Sequence, residues 1–155
     1  MNYSVRLATV ADIDQLVPLR VLMQKEVNPQ VSMGDELAFS EATRKYLVEV
    51  LPRGTAICCV AEFAGQIVSN AFLLVIDKAP SLNSRKGRIG YVSNVYTLPE
   101  FRGKGVGTAV MEELKRQAVL AGMSKVMLNS TEAGSSVYAR VGFKEPTFPA
   151  MELRL

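Results

Sequence analysis

The sequence predicts an α/β (α+β) fold in a single domain over residues 1–155, with elements in the order β-α-α-β-β-β-α-β-α-β-β. Three observations carry this reading. Short apolar segments rich in β-branched residues are bounded by turn residues. Apolar stripes at helical spacing are bounded by capping and stop residues. A basic loop with alternating glycines joins one such strand to one such helix. With 48% hydrophobic and 21% charged residues, a chain of 155 is long enough to bury a real core.

In chain order, Ser4-Val5-Arg6-Leu7-Ala8 alternates polar and apolar and reads as a first strand. Thr9 and Asp12 form a variant capping box for a first helix running to about Glu26. Pro18 means that this helix is kinked or begins later. Residues 28–35 read as a loop, and Glu36 to Leu51 as a second helix stopped before Pro52-Arg53-Gly54. Thr55 to Phe63 and Gln66 to Ile76 form an antiparallel hairpin around Ala64-Gly65. The polar stretch Asp77 to Gly87 is the least structured part and a candidate lid. Arg88 to Thr97 is a strand, and Gly105 to about Ala121 an amphipathic helix with Val106, Val110, Leu114 and Ala118 on its stripe, stopped by Gly122. Lys125 to Asn129 is a strand, and Ser130 or Thr131 caps a short helix from Ser135 to Val141, closed by Gly142. Phe143-Lys144-Glu145 and Met151 to Arg154 read as two terminal strands separated by Pro146 and Pro149.

Several chemistries are excluded early. The chain has no histidine, which removes Ser-His and Cys-His nucleophilic catalysis and argues against a typical zinc site, so no metal is expected. Cys58 and Cys59 are neighbours in an apolar run; strand neighbours face opposite ways, so they read as two buried apolar residues rather than a disulfide. A net charge of +3 calls for no nucleic-acid partner. No apolar run approaches the roughly 20 residues that cross a bilayer, and the first residues lack a signal pattern. A cytoplasmic location without membrane contact is the expectation.

The chemistry concentrates between Asn94 and Thr108. Here the strand enters a turn at Pro99 and then the segment Arg102-Gly103-Lys104-Gly105-Val106-Gly107. Further on, Tyr138-Ala139-Arg140-Val141-Gly142-Phe143 closes the last helix. The first segment resembles the Arg/Gln-x-x-Gly-x-Gly/Ala acetyl-CoA-binding signature, and the second the Tyr-x-x-x-Gly-Phe element, of the GCN5-related N-acetyltransferase (GNAT) superfamily. The resemblance spans essentially the whole chain and is strongest from Arg88 to Phe143. It implies a mixed, twisted, largely antiparallel sheet of about seven strands with four helices on both faces. A Rossmann loop would need a third glycine where Thr108 stands, and a P-loop would end in Gly-Lys-Ser/Thr; neither pattern is present.

The resemblance implies acetyl-CoA as the acetyl-donor co-substrate. Main-chain N–H groups from Gly103, Lys104, Gly105, Val106, Gly107 and Thr108 at a helix N-terminus match a pyrophosphate, and Arg102 and Lys104 add positive charge. It also implies a β-bulge in the preceding strand, with Val95, Tyr96 and Thr97 meeting the pantetheine and acetyl group through the backbone. Thr131 joins the cofactor-binding set. Tyr138 holds the family's general-acid position, where a phenol of pKa ~10 can protonate the departing thiolate. Some members carry a glutamate on the fourth strand, near Tyr91 here, and no carboxylate lies between Arg88 and Pro99. Glu26, Asp35, Glu36 and Glu41 are the other candidates, and no base is assigned.

The expected activity is direct transfer of acetyl from acetyl-CoA to a primary amine in a ternary complex, without an acyl-enzyme. The acceptor is expected to be an amine-bearing small molecule, with a peptide or protein amine as second choice, and a homodimer is allowed. The pocket would draw on Lys25 to Phe39, the loop after Ile76 and the terminal strands. The alternative is an acetyl-CoA-binding regulatory or catalytically inactive GNAT-like module, which the absent strand carboxylate favours and the retained Tyr138 opposes.

Overall fold

A computed structural model describes residues 2–132 and 134–155. Five strands form one sheet in sequential order: β1 (Ser4–Leu7), β2 (Ala56–Phe63), β3 (Gln66–Asp77), β4 (Arg88–Thr97) and β5 (Val126–Leu128). All neighbouring pairs are antiparallel except β4–β5, which is parallel. The helices are α1 (Ile13–Val27), α2 (Met33–Arg53), α3 (Val106–Leu120) and α4 (Ser135–Val141).

The local signals explain most boundaries. Pro18 does not break α1; the helix begins at Ile13, after a short 3₁₀ turn over Val10–Asp12. Helix α2 starts earlier than its pattern suggests, because the Ser32 Oγ accepts from the Asp35 N–H at 3.1 Å and caps it inside the expected loop. Ala64 and Gly65 both take positive φ, 50° and 81°, as a two-residue hairpin turn between right-twisted strands requires.

Two expected strands are not formed. Phe143 to Glu145 and Met151 to Arg154 have no ladder partner, so the sheet has five strands rather than about seven. Pro146 and Pro149 each lack an N–H, and the three residues of the first segment leave little to pair. Phe143 instead sets its ring edge-on to Tyr138, with centroids 6.0 Å apart. The expected lid also differs: residues 78–87 fold back on themselves, with the Lys78 N–H donating to the Gly87 carbonyl at 2.8 Å. They occupy the end of β4 opposite to the glycine loop, since β4 runs from Arg88 beside them to Thr97.

Helices cover both faces of the sheet, as adjacent β4 residues show. Tyr96 sends its hydroxyl to Glu26 of α1, whereas a Cβ on Gly107 of α3 would stand 3.2 Å from Thr97 Oγ1. The core lies between these layers. Leu16, Leu47, Val60, Val68, Leu73, Val106, Val110, Met111 and Leu114 are almost wholly buried within it. No helix among the described residues is long and apolar enough to cross a membrane.

Candidate active site

Strand β4 supplies the first wall of the site. Its register against β3 slips between Val92 and Asn94, leaving Ser93 as the extra residue of a bulge. On its other edge β5 pairs only with Gly90–Val92, and the two parallel strands then part. The Leu98 N–H donates to the Val68 carbonyl at 2.9 Å. By the alternation of an antiparallel ladder, the N–H groups of Val95 and Thr97 therefore point away from β3, into the gap that β5 leaves. The Thr97 carbonyl points the same way and accepts from Arg102 Nε at 2.8 Å.

The second wall is the start of α3. Its N-cap is Gly105 at φ 79°, with no side-chain cap and no acidic residue in the first turn. The first intrahelical bond at this end runs from the Ala109 N–H to the Gly105 carbonyl at 3.0 Å. The N–H groups of Val106, Gly107 and Thr108 thus face outward, with the positive end of the helix dipole behind them. Gly103 and Gly105 both take positive φ, 70° and 79°, which glycine adopts without strain, and a Cβ on either would meet nothing within 4 Å. Gly107 serves a different purpose: it lets α3 approach Thr97 closely.

Tyr138 of α4 closes the site. Its ring is half-buried, and that burial pushes the phenol pKa above its ordinary value. Thr131 Oγ1 accepts from the Gly134 N–H at 3.3 Å, which fixes the turn leading into α4.

One cleft of about 630 Å³ gathers these parts. Val95, Tyr96, Thr97, Arg102, Gly103, Gly105, Val106, Gly107, Thr108, Thr131 and Tyr138 all line it, and Lys104 does not. The Lys104 ammonium donates to the Glu100 carbonyl at 2.7 Å and lies over the Phe101 ring. None of residues 77–87 reaches this cleft; Met23 and Val27 of α1 and Tyr91 of β4 complete its wall.

Arg102 is more than a loop charge. Its Nη2 bonds Glu26 Oε1 at 2.7 Å, the same oxygen takes the Tyr96 hydroxyl at 2.9 Å, and the guanidinium lies over the Tyr96 ring. Burial, and then Glu26, push the Tyr96 phenol up to about 12. This junction ties the glycine loop to β4 and α1. No sequence signal links Glu26 to residues some 70 positions away. Of the four candidate carboxylates, Glu26 alone lines the cleft; Glu36 pairs with Lys25, and Asp35 is held at the α2 cap. Gly134, whose Cα lies against the Tyr138 ring, was also not singled out by the sequence, and its spacing of four residues from the tyrosine is the one weak hint.

Cys58 and Cys59 are buried and free, and desolvation raises both thiols, Cys59 to about 12. Neither reaches the cleft. Among the described residues no group of His, Cys, Asp or Glu could hold a metal ion.

Comparison with known proteins agrees with this geometry. The family described as "Acetyltransferase (GNAT) domain" matches residues 54–145. Glucosamine 6-phosphate N-acetyltransferase 1 of Oryza sativa subsp. japonica is 31% identical over 146 residues, covering 92% of this chain and 82% of the relative. Glucosamine 6-phosphate N-acetyltransferase of Trypanosoma brucei brucei is 33% identical over 81 residues, which is 52% of each chain. The crystal structure of a predicted acetyltransferase with acetyl-CoA from Clostridium acetobutylicum superposes with a TM-score of 0.82 at 27% identity, covering 99% of this chain and 96% of the other. A family match over more than half the chain, on a fold that builds the splayed strands, the open helix N-terminus and the tyrosine helix, is decisive: this chain belongs to the GNAT acetyltransferase family.

Proposed function

We propose that the protein transfers the acetyl group of acetyl-CoA directly to a primary amine of a small molecule, in a ternary complex. The observation that carries this reading is the cleft itself. It brings the unpaired edge of β4, the uncapped start of α3 and the Tyr138 ring into one space. The residues fit the co-substrate: the open N–H groups at the start of α3 suit a pyrophosphate, and Gly103, Gly105 and Gly107 line the cleft beside them.

In the reaction, the amine nitrogen attacks the thioester carbonyl carbon. The C–N bond forms, the C–S bond breaks, and the thiolate takes the Tyr138 proton to leave as a thiol. The amine gives its surplus proton to solvent, and Tyr138 recovers one from solvent. The N–H groups of Val95 and Thr97 are positioned as donors for the carbonyl oxygen as it gains charge. The raised thiols of Cys58 and Cys59 and their burial support direct transfer over an acyl-cysteine route. A small-molecule acceptor is supported by two relatives whose names specify a sugar amine, and by the partly apolar wall of Met23, Val27 and Tyr91.

The test is thiol release from acetyl-CoA against a panel of small amines and peptides. Release with a small amine is expected. Protection of the protein by acetyl-CoA against heating, with no release for any acceptor, would instead support a regulatory binding module.

A further inference from the structure

Two cationic side chains line the cleft, Arg102 and Arg140. Arg102 is already engaged: its Nε donates to the Thr97 carbonyl at 2.8 Å and its Nη2 to Glu26 at 2.7 Å. Lys104, between the glycines, turns away to the Glu100 carbonyl. Arg140 of α4 differs from both. It is exposed, and among the described residues its guanidinium has no carboxylate within ion-pair distance and no hydrogen-bond acceptor. It is therefore the cation of the cleft wall whose charge and donors are free for a ligand.

A second donor stands beside it. Ser136 precedes Arg140 by four residues, one turn away on the same face of α4, and it too lines the cleft. The neighbouring Ser135 spends its hydroxyl on the Glu132 carbonyl at 2.8 Å, whereas the Ser136 hydroxyl bonds no described residue. The packing of α4 tells which end of the cleft this pair serves. Helix α4 packs against α3, and Lys115 of α3 donates to the Val141 carbonyl, next to Arg140, at 3.1 Å. The pair thus belongs to the side of the cleft that carries the open N–H groups of α3. Met23 and Val27, on the acceptor side, come from α1 on the other face of the sheet.

Coenzyme A carries a pyrophosphate in its middle and a separate phosphate monoester on the ribose 3′ carbon. The N–H groups of Val106, Gly107 and Thr108 suit the pyrophosphate. The monoester, with a charge of about −1.5 to −2 at neutral pH, is left to find a cation of its own. We infer that Arg140, with Ser136 beside it, receives the 3′-phosphate of coenzyme A and so makes the protein prefer coenzyme A to its 3′-dephospho form. The inference rests on the reading of the cleft as an acetyl-CoA site. A guanidinium fork matches two phosphate oxygens, and a hydroxyl one turn away can donate to the third. An exposed arginine suits this phosphate because the monoester ends the ligand and stays in reach of water.

The experiment compares the binding of coenzyme A and 3′-dephospho-coenzyme A by calorimetry, on wild-type protein, Arg140→Gln and Arg140→Lys. Binding is read without any chemistry, so the outcome does not depend on the acceptor. Wild-type protein should bind coenzyme A about 5-fold or more tighter than the dephospho form. Arg140→Gln should bring that preference below about 2-fold by weakening coenzyme A, with the affinity for the dephospho form changed by less than about 2-fold. Arg140→Lys, which keeps the charge but loses the fork, should retain part of the preference. In wild-type protein the preference should shrink as salt is raised, because the pair is open to solvent. Equal binding of the two forms by wild type, or an undiminished preference in Arg140→Gln, would overturn the assignment and leave the acetyl-CoA reading intact. Equal weakening of both forms in Arg140→Gln would place Arg140 at the pyrophosphate instead and overturn it as well. Binding of neither form by folded wild-type protein would overturn it together with the acetyl-CoA reading.

Discussion

Gly134 backs directly onto the ring of Tyr138: a Cβ there would lie 2.9 Å from Tyr138 Cε2 and 3.3 Å from Thr131 Oγ1. The φ of Gly134 is −84°, so any residue could adopt its backbone, and glycine is required only for space. Gly134→Ala should therefore fold and bind acetyl-CoA, yet displace the phenol. We expect turnover to fall about 10-fold, with KM for acetyl-CoA changed by less than about 3-fold. Steady-state kinetics measure this split, and an unchanged turnover would show that the ring position does not matter to the reaction.

Tyr138→Phe removes the proton while keeping the ring and its edge contact with Phe143. Loss of a general acid should lower turnover by about 10²-fold or more with acetyl-CoA affinity nearly intact. The pH profile gives an independent check. An acid works in its protonated form, so its activity is lost as pH rises through its pKa. Burial places that pKa above the ordinary phenol value of about 10. Tyr138 should thus add no falling limb below about pH 9. Full activity in Tyr138→Phe would remove the residue from the acid role.

These two residues illustrate what the sequence could and could not convey. Tyr138 was legible because it stands at a fixed interval before Gly142 and Phe143, and the glycine loop because strand, turn and helix are contiguous in the chain. The hairpin over residues 56–77 and helix α4 were readable from local pattern, since turn chemistry and caps are local. The terminal strands were not: Phe143 to Glu145 and Met151 to Arg154 have strand-like composition, but a strand needs a partner, which local sequence does not specify. Arg102 looked like a phosphate-side charge, whereas its bonds to Glu26 and Thr97 depend on where α1 lands across the sheet. Lys104 lay between two glycines of the motif, yet its side chain turns to Glu100.

Within the glycine loop, glutamate and alanine substitutions should have different effects. Gly105→Glu forces a side chain onto a φ of 79° and adds a negative charge at the N-cap of α3, where the phosphate reading needs positive potential. Gly107→Glu crowds Thr97 Oγ1 at 3.2 Å and places the same charge in the first turn of α3. Both should abolish the thermal protection given by acetyl-CoA, equivalent to about a 100-fold or greater loss of affinity. Gly107→Ala should retain most of it, because the hydroxyl of Thr97 can give by a few tenths of an ångström. Thermal shift with and without acetyl-CoA tests all three, and persistent protection in either glutamate variant would contradict the phosphate-loop assignment.

The last prediction concerns how the first strand is fastened to the first helix. Asp12 takes two hydrogen bonds from Arg6, at 2.8 and 2.9 Å, and the Thr9 N–H at 2.7 Å. Arg6 in turn reaches Glu62 on β2, so one guanidinium joins β1, β2 and the turn that opens α1. The Arg6 hydrogen bonds are the main cause that pulls the Asp12 carboxyl down to about 2. An unfolded aspartate titrates near 3.9, so folding favours the ionised form. The stabilisation is complete above that unfolded value and is lost as pH falls from about 4 through about 2. At neutral pH it should amount to about 1–2 kcal/mol, because Asp12 is buried while Arg6 is partly open to solvent. Asp12→Asn should lower the melting temperature by about 3–6 °C at pH 7. The wild-type and variant curves should converge as pH approaches 2, since protonation makes the wild-type carboxyl neutral as well. Melting scans across this range decide the matter: a constant gap at every pH would mean that the substitution acts through packing rather than through charge.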